Sequence, residues 1–144
     1  MIPPGAAALR ALLEKEGCEV LESERCARGL GASLAAAIAA TGDAPGWLVA
    51  LGDMPFISPA TIAAVKAAIE KGAAIAAPRL REGGARGHPV GFAQSMAGEL
   101  AVLDGDEGAR SVIERHRDRV VLVEVDDRGI VADIDTPGDL PTSG

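Results

Sequence analysis

The chain has 144 residues, of which 48% are apolar, and its formal net charge is −7. This length and apolar content predict a single domain, residues 1–144, with one hydrophobic core. Nucleic-acid binders need a basic surface and often stacking rings, whereas this acidic chain has one Trp, two Phe and no Tyr. No apolar stretch is long enough to cross a bilayer, and the N-terminus has no secretory pattern. We therefore expect a cytoplasmic protein that binds small molecules, with no nucleic-acid or membrane partner.

Segments of helical periodicity alternate with short β-rich runs along the chain. In chain order the pattern predicts a helix over 7–17, a strand over 18–21, a helix over 31–40, a strand over 47–51, a helix over 58–71, strands over 73–77 and 89–92, helices over 94–103 and 108–116, and strands over 120–125 and 130–134. The unbroken apolar run at 47–51 is typical of a strand buried on both faces. The last two strands are expected to form a β-hairpin. The fold class is therefore α/β and mostly parallel, with an antiparallel C-terminal hairpin.

The two cysteines have no recognisable ligand or disulfide pattern. Cys18 and Cys26 match neither a metal-ligand spacing nor a disulfide framework. Cys18 opens the apolar segment CEVL, so we expect it to be buried as a small hydrophobic residue.

The strongest local signal is the segment Leu51–Pro55, which reads LGDMP. In open α/β sheets, ligands bind beyond the carboxyl ends of strands, and Asp53 follows the predicted 47–51 strand. Its carboxylate is a hard oxygen ligand that suits Mg²⁺, and Gly52 leaves room for a ligand to approach the backbone. The alternative, a turn or helix-capping aspartate, is equally compatible with the spacing.

A second acidic constellation lies near the C-terminus. Asp133 and Asp135 leave the predicted last strand on the same face, because strand side chains repeat every two residues. Two carboxylates on one face repel unless a cation or a proton lies between them, so Asp135 is a candidate second metal ligand. Thr136 and Pro137 are expected to begin a short helix. Taken alone, this motif favours the alternative that Asp135 or Thr136 only caps that helix.

Two glycine-containing loops carry candidate substrate-binding residues. In the loop 83–89, Arg86 offers a planar cationic fork for phosphate, and His88 can donate a hydrogen bond to a substrate. A histidine before a proline is more often structural, and that alternative stays open. In the loop 104–110, substrate contact is expected from backbone amides at a helix start or from Arg110.

Taken together and in order, these segments resemble the MobA-like nucleotidyltransferases. Their residue patterns are most similar to those of the molybdenum cofactor cytidylyltransferase branch. That branch shows a Gly-x-x-x-Ser-Leu stretch, LGDMP, RGHPV, GDxGAR and DIDTPxDL. In this chain the corresponding segments are Gly29–Leu34, Leu51–Pro55, Arg86–Val90, Gly105–Arg110 and Asp133–Leu140. Each motif is weak alone, whereas five in order are a specific signal.

The resemblance implies a Mg²⁺-dependent nucleotidyl transfer. A phosphate of molybdopterin cofactor attacks the α-phosphorus of CTP, or of GTP, and pyrophosphate leaves. The implied fold is a Rossmann-like three-layer sheet of the nucleotide-diphospho-sugar transferase type. By resemblance Asp53 is the principal metal ligand, Asp135 the second with Asp133 beside it, and Ser33 lines the nucleotide pocket. Gly52, Arg86, His88 and Arg110 are the remaining expected substrate-binding residues.

One family motif has no counterpart in this sequence. Family members open with a strand and a loop of the form LAAGxSxRMGxxK, so this chain is expected to represent the C-terminal two-thirds of the usual domain, without its first strand. The alternative function is a catalytically silent domain that binds the pterin cofactor or serves a molybdoenzyme maturation partner. An unpaired edge at the 47–51 strand also leads us to expect a chain that is marginally stable, homodimeric through that edge or prone to aggregate.

Overall fold

The computed structural model describes residues 1–136 and residue 138. These residues form two compact units, one made of Met1–Ala44 with Met96–His116 and the other of Pro45–Ser95 with the chain from Arg117 onward. Among the described residues, no helix combines the length and the apolar character that a membrane span requires.

The first unit is helical. Its helices are α1 (Ala7–Lys15), α2 (Leu30–Ala40), α4 (Ala97–Leu100) and α5 (Arg110–Arg115), with a short 3₁₀ helix at Glu24–Arg28. The small residues of α2 allow close packing, and Ala32, Leu34, Ala35 and Ile38 are all buried. In contrast, α1 buries none of its side chains.

Two expectations for the start of the chain are wrong. The strand predicted over 18–21 is absent, and a single parallel bridge joins Ile2 to Glu22 instead. Cys18 lies on the surface rather than in the core. Its segment forms no strand within a sheet that could cover the side chain.

The second unit contains the sheet. Its elements are β1 (Gly46–Val49), α3 (Pro59–Glu70), β2 (Ile75–Leu80), β3 (Val90–Ala93) and β4 (Val120–Val125), with 3₁₀ turns at Arg117–Arg119 and Arg128–Val131. A further 3₁₀ turn, Gln94–Met96, begins in this unit and ends at the first residue of the next segment of the first unit. The strand order is β1-β3-β2-β4. β3 is antiparallel to both of its neighbours, and β2 is parallel to β4. The core of this unit includes Val65, Ile75, Phe92 and Ile130, each fully buried.

The helix α3 begins as its local sequence predicts. Ser58 is the N-cap, and its hydroxyl oxygen accepts a hydrogen bond from the amide of Ala60, while Pro59 occupies the first turn. The helix packs on the sheet through Val65 and Ile69, whose side chains lie against the bare backbone of Gly91.

The α/β class is confirmed, but the sheet is mixed rather than mostly parallel. Two of its three strand pairings are antiparallel, and the antiparallel strand is the internal β3, not a C-terminal hairpin. The predicted strand over 130–134 is wrong, because Arg128–Val131 forms a 3₁₀ turn capped by the side chain of Asp127. The residues of β1 are also only half-buried, not buried on both faces.

Several expectations stay predictions. β1 is at one end of the strand order among the described residues, and pairing through its outer edge remains a prediction. The short helix expected from Thr136 and Pro137, and the motif positions Asp139 and Leu140, lie at or beyond the limit of the described residues.

Candidate functional site

Three loops of the second unit meet at one edge of its sheet. Val49 at the end of β1 pairs with Val90 at the start of β3, and Leu80 at the end of β2 pairs with Val125 at the end of β4. The loops that follow β1 and β4 and the loop that precedes β3 therefore leave the sheet at the same edge. Carboxyl ends of strands are the usual ligand-binding edge of α/β sheets.

Asp53 and the segment carrying Asp133 and Asp135 are joined directly at this edge. The amide of Ile134 donates a hydrogen bond of 2.8 Å to the backbone carbonyl oxygen of Asp53. Asp53, Asp133 and Asp135 are all exposed. The two acidic segments that the sequence predicts as metal ligands, 80 residues apart in the chain, are thus neighbours in the structure.

The donor set at this edge fits a hard divalent cation. Mg²⁺ is usually held by one or two carboxylates, with waters and substrate phosphates completing its octahedron. Residues 1–136 contain no cluster of three or more side chains already arranged to hold a metal.

Arg86 is an available cation near the same edge. Three other arginines of this region are paired, Arg79 with Glu124, Arg81 with Asp126 and Arg128 with Glu82. The exposed guanidinium of Arg86, by contrast, has no carboxylate partner within the described part of the chain. An unpaired arginine is free to bind a phosphate through two parallel hydrogen bonds.

His88 is half-buried and electrostatically coupled to Asp53. Burial lowers the pKa of its imidazole below the usual 6.5, and the nearby Asp53 carboxylate opposes that shift only in part. The side chain is therefore neutral at neutral pH, with one ring nitrogen able to donate a hydrogen bond. Its backbone amide donates 3.0 Å to the carbonyl oxygen of Ile130.

Gly52 has open space where a side chain would begin. A Cβ atom at this position would meet no heavy atom within 4 Å. Because Gly52 is exposed and precedes Asp53, a ligand has access to the main chain next to the candidate metal ligand.

The remaining two candidate residues, Ser33 and Arg110, belong to the first unit. Their motifs are in contact, since the amide of Gly31 donates 2.7 Å to the carbonyl oxygen of Gly105. Ser33 is partly buried on α2, whereas Arg110 is exposed and its Nε lies 3.0 Å from Oε1 of Glu114. The structure thus brings together the Gly29–Leu34 and Gly105–Arg110 motifs, as it brings together those of the second unit.

Sequence reasoning missed Asp127, which accepts hydrogen bonds from three sources. The amide of Ser58 and the hydroxyl of Thr61 donate to Oδ2 at 2.8 Å and 2.6 Å, and the amide of Gly129 donates to Oδ1 at 3.0 Å. Burial raises the pKa of this carboxyl, but the hydrogen bonds outweigh it and hold the pKa below the usual 3.8. The sequence did contain a signal for this role, because an aspartate two residues before a glycine can cap a local turn as readily as it can form a hairpin turn.

Comparison with known proteins identifies relatives of this chain. A family model for the MobA-like NTP transferase domain matches residues 2–120. The structure of Rv0371c from Mycobacterium tuberculosis H37Rv is 33% identical, with a TM-score of 0.77 over 96% of this chain and 71% of that one. A complex of the same protein with manganese is 32% identical, with a TM-score of 0.75 over 96% and 73%.

A more distant structure shares the fold alone. Molybdopterin-guanine dinucleotide biosynthesis protein A from Archaeoglobus fulgidus is 18% identical, with a TM-score of 0.61 over 96% of this chain and 72% of that one. No curated protein matches the chain. From the family model and the 33% identity to Rv0371c it follows that the chain belongs to the MobA-like NTP transferase family, whose members are nucleotidyltransferases.

Proposed function

We propose that this chain transfers a nucleoside monophosphate to molybdopterin cofactor in a reaction that depends on Mg²⁺ or Mn²⁺. The cofactor's phosphate oxygen forms a bond to the α-phosphorus of the nucleoside triphosphate, the α–β phosphoanhydride bond breaks, and pyrophosphate leaves. CTP is favoured over GTP, because the RGHPV and DIDTP segments match the sequence motifs of the cytidylyltransferase branch.

The observation that carries the proposal is the hydrogen bond between Ile134 and Asp53. This bond holds the segment that carries Asp133 and Asp135 beside the loop that carries Asp53. Candidate oxygen ligands for the cation therefore come from two parts of the chain. The manganese complex of Rv0371c, a relative 32% identical to this chain, supports a divalent cation in this role.

Each candidate residue has a separate task in this proposal. Asp53 and Asp135 hold the cation, which when bound neutralises charge on the phosphate oxygens. Arg86 orients the acceptor phosphate, and neutral His88 donates a hydrogen bond to substrate. The bare backbone at Gly52 admits the nucleotide. Ser33 and Arg110 are proposed as substrate-binding residues on the family resemblance of their motifs.

The test is a transfer assay with α-³²P-labelled CTP or GTP, molybdopterin cofactor and either Mg²⁺ or Mn²⁺. Labelled dinucleotide and pyrophosphate are measured for the full chain, for Asp53→Asn and for Asp43→Asn, an exposed aspartate of the first unit that serves as the matched control. We expect product from CTP, unchanged turnover for D43N, and a loss of about 100-fold or more for D53N, since a metal contributes several kcal/mol to such transition states.

Two results would contradict the proposal. Equal turnover of D53N and D43N would remove Asp53 from the metal site. Binding of molybdopterin without product from either nucleotide would instead support the catalytically silent cofactor-binding domain.

A further inference from the structure

The carboxylate of Asp127 joins two parts of the second unit that are far apart in the sequence. One oxygen binds the start of α3, through the amide of Ser58 and the buried hydroxyl of Thr61. The other binds the amide of Gly129, at the start of the Arg128–Val131 turn. The side chain therefore fixes where the chain goes after it leaves β4.

The 127–134 segment contacts both loops of the proposed site. The carbonyl oxygen of Ile130 accepts 3.0 Å from the amide of His88, and the amide of Ile134 donates 2.8 Å to Asp53. Between these bonds the side chain of Ile130 is fully buried. The segment is thus the common support of the Asp53 loop and the His88 loop.

Close packing leaves this segment little freedom. A Cβ at Gly129 would lie 2.1 Å from the carbonyl oxygen of Phe56, and a Cβ at Gly87 would lie 1.9 Å from that of Ile130. Both neighbours are backbone atoms, so they cannot rotate away. A displacement of the 127–134 segment therefore moves both loops with it.

From these contacts we infer that Asp127 is a positioning residue that sets the distance between the Asp53 loop and the His88 loop without touching substrate. This inference rests on the proposed function for the role of the two loops. Its structural part, that Asp127 holds the 127–134 segment against both loops, stands on the hydrogen bonds alone.

Two variants separate positioning from simple stabilisation. Asp127→Ala removes all three hydrogen bonds to the segment and to α3. Ser58→Ala removes only the α3 N-cap, because the Ser58 hydroxyl binds Ala60 while its backbone amide still reaches Asp127. Both changes weaken the start of α3, so both are expected to lower the melting temperature, and S58A is the matched control.

The first measurement is hydrogen exchange of backbone amides in the full chain. We expect the amides of His88 and Ile134 in D127A to exchange at least about tenfold faster relative to the β2–β4 ladder, and those in S58A to keep their wild-type ratio. Unchanged ratios in D127A would overturn the inference. If D127A does not fold, Thr61→Val, which removes one of the three donors to Asp127, must accelerate hydrogen exchange at the amides of His88 and Ile134. Unchanged exchange rates at these amides would refute the inference.

The second measurement is turnover at saturating substrate. D127A should lose kcat about tenfold or more while S58A stays within about threefold, both assayed below their melting temperatures, and Asp127→Asn, which keeps one acceptor oxygen, should lie between. Equal kcat for D127A and S58A would contradict positioning. If the wild-type chain has no transferase activity, the proposed function fails, and the exchange measurement still decides whether Asp127 positions the loops.

Discussion

Replacing Gly87 with alanine is expected to separate the loop of Arg86 and His88 from the 127–134 segment. The new Cβ would lie 1.9 Å from the carbonyl oxygen of Ile130 and 2.5 Å from its carbonyl carbon. Ordinary contacts begin at 3.4 Å, so the atoms must move apart by about 1.5 Å. A shift of that size breaks the 3.0 Å hydrogen bond from the amide of His88 to the same oxygen.

The cost of this change follows from its two parts. Overpacking against backbone costs about 1–3 kcal/mol, and the lost hydrogen bond about 0.5–1.5 kcal/mol. Together they take about 1.5–4.5 kcal/mol from a free energy of unfolding that is about 5–15 kcal/mol for a domain. At about 3 °C per kcal/mol for a chain of this size, Gly87→Ala should lower the melting temperature by about 5–13 °C.

Thermal unfolding followed by circular dichroism measures this effect, with Gly52→Ala as the control. Gly52 lies in the same unit and has no heavy atom within 4 Å of an added Cβ, so G52A should change stability by less than about 0.5 kcal/mol. Neutral variants differ in melting temperature by on the order of 2 °C. A melting temperature of G87A within about 2 °C of that of G52A would show that the loop moves aside with no loss of stability, and the packing argument would be wrong.

Three further predictions concern charge. Asp53→Asn should abolish metal-dependent transfer and leave the melting temperature unchanged, because the exposed Asp53 carboxylate makes no hydrogen bond or salt bridge with the described residues. A large drop in melting temperature would contradict this prediction. Arg86→Ala should weaken acceptor binding by about 10- to 150-fold, the equivalent of about 1.5–3 kcal/mol, and nucleotide binding much less, as separate titrations of the two ligands would reveal. The pKa of the Asp127 carboxyl is below 3.8 in the folded chain. As the pH falls, Asp127 is therefore protonated in the unfolded chain before it is protonated in the folded chain. Its contribution to stability is therefore complete above about pH 5 and is lost progressively as the pH falls through the unfolded pKa and then the folded pKa. Urea unfolding of Asp127→Asn should show a flatter dependence on pH in that acidic range than the wild type.

The sequence predicts elements whose causes are local. Ser58 and Pro59 are sufficient to begin α3, because an N-cap hydroxyl and a proline in the first turn act on neighbouring residues. The β4 sequence, which is rich in β-branched valine, likewise predicts its strand from local residues alone. The five motifs led to the correct family for the same reason, since each is a short contiguous pattern.

The wrong predictions have causes that are distant in the chain. The turn at Arg128–Val131 replaces a strand because Asp127 binds Ser58 and Thr61, 69 and 66 residues away. No local pattern around Asp127 contains those partners. The contact of Ile134 with Asp53 is of the same kind, so the candidate ligands could be named one by one but their adjacency could not.

The packing of Gly29 and Gly31 against the 104–106 loop has a consequence for chimeras of this family. A Cβ at Gly29 would lie 2.2 Å from Oδ1 of Asp106, and one at Gly31 would lie 2.7 Å from the carbonyl oxygen of Asp104. The start of α2 and this loop therefore fit only as a matched pair. A loop grafted from a relative at residues 104–108 has to be transferred together with the residues at 29 and 31 that fit it, so these two motifs form one exchangeable module rather than two.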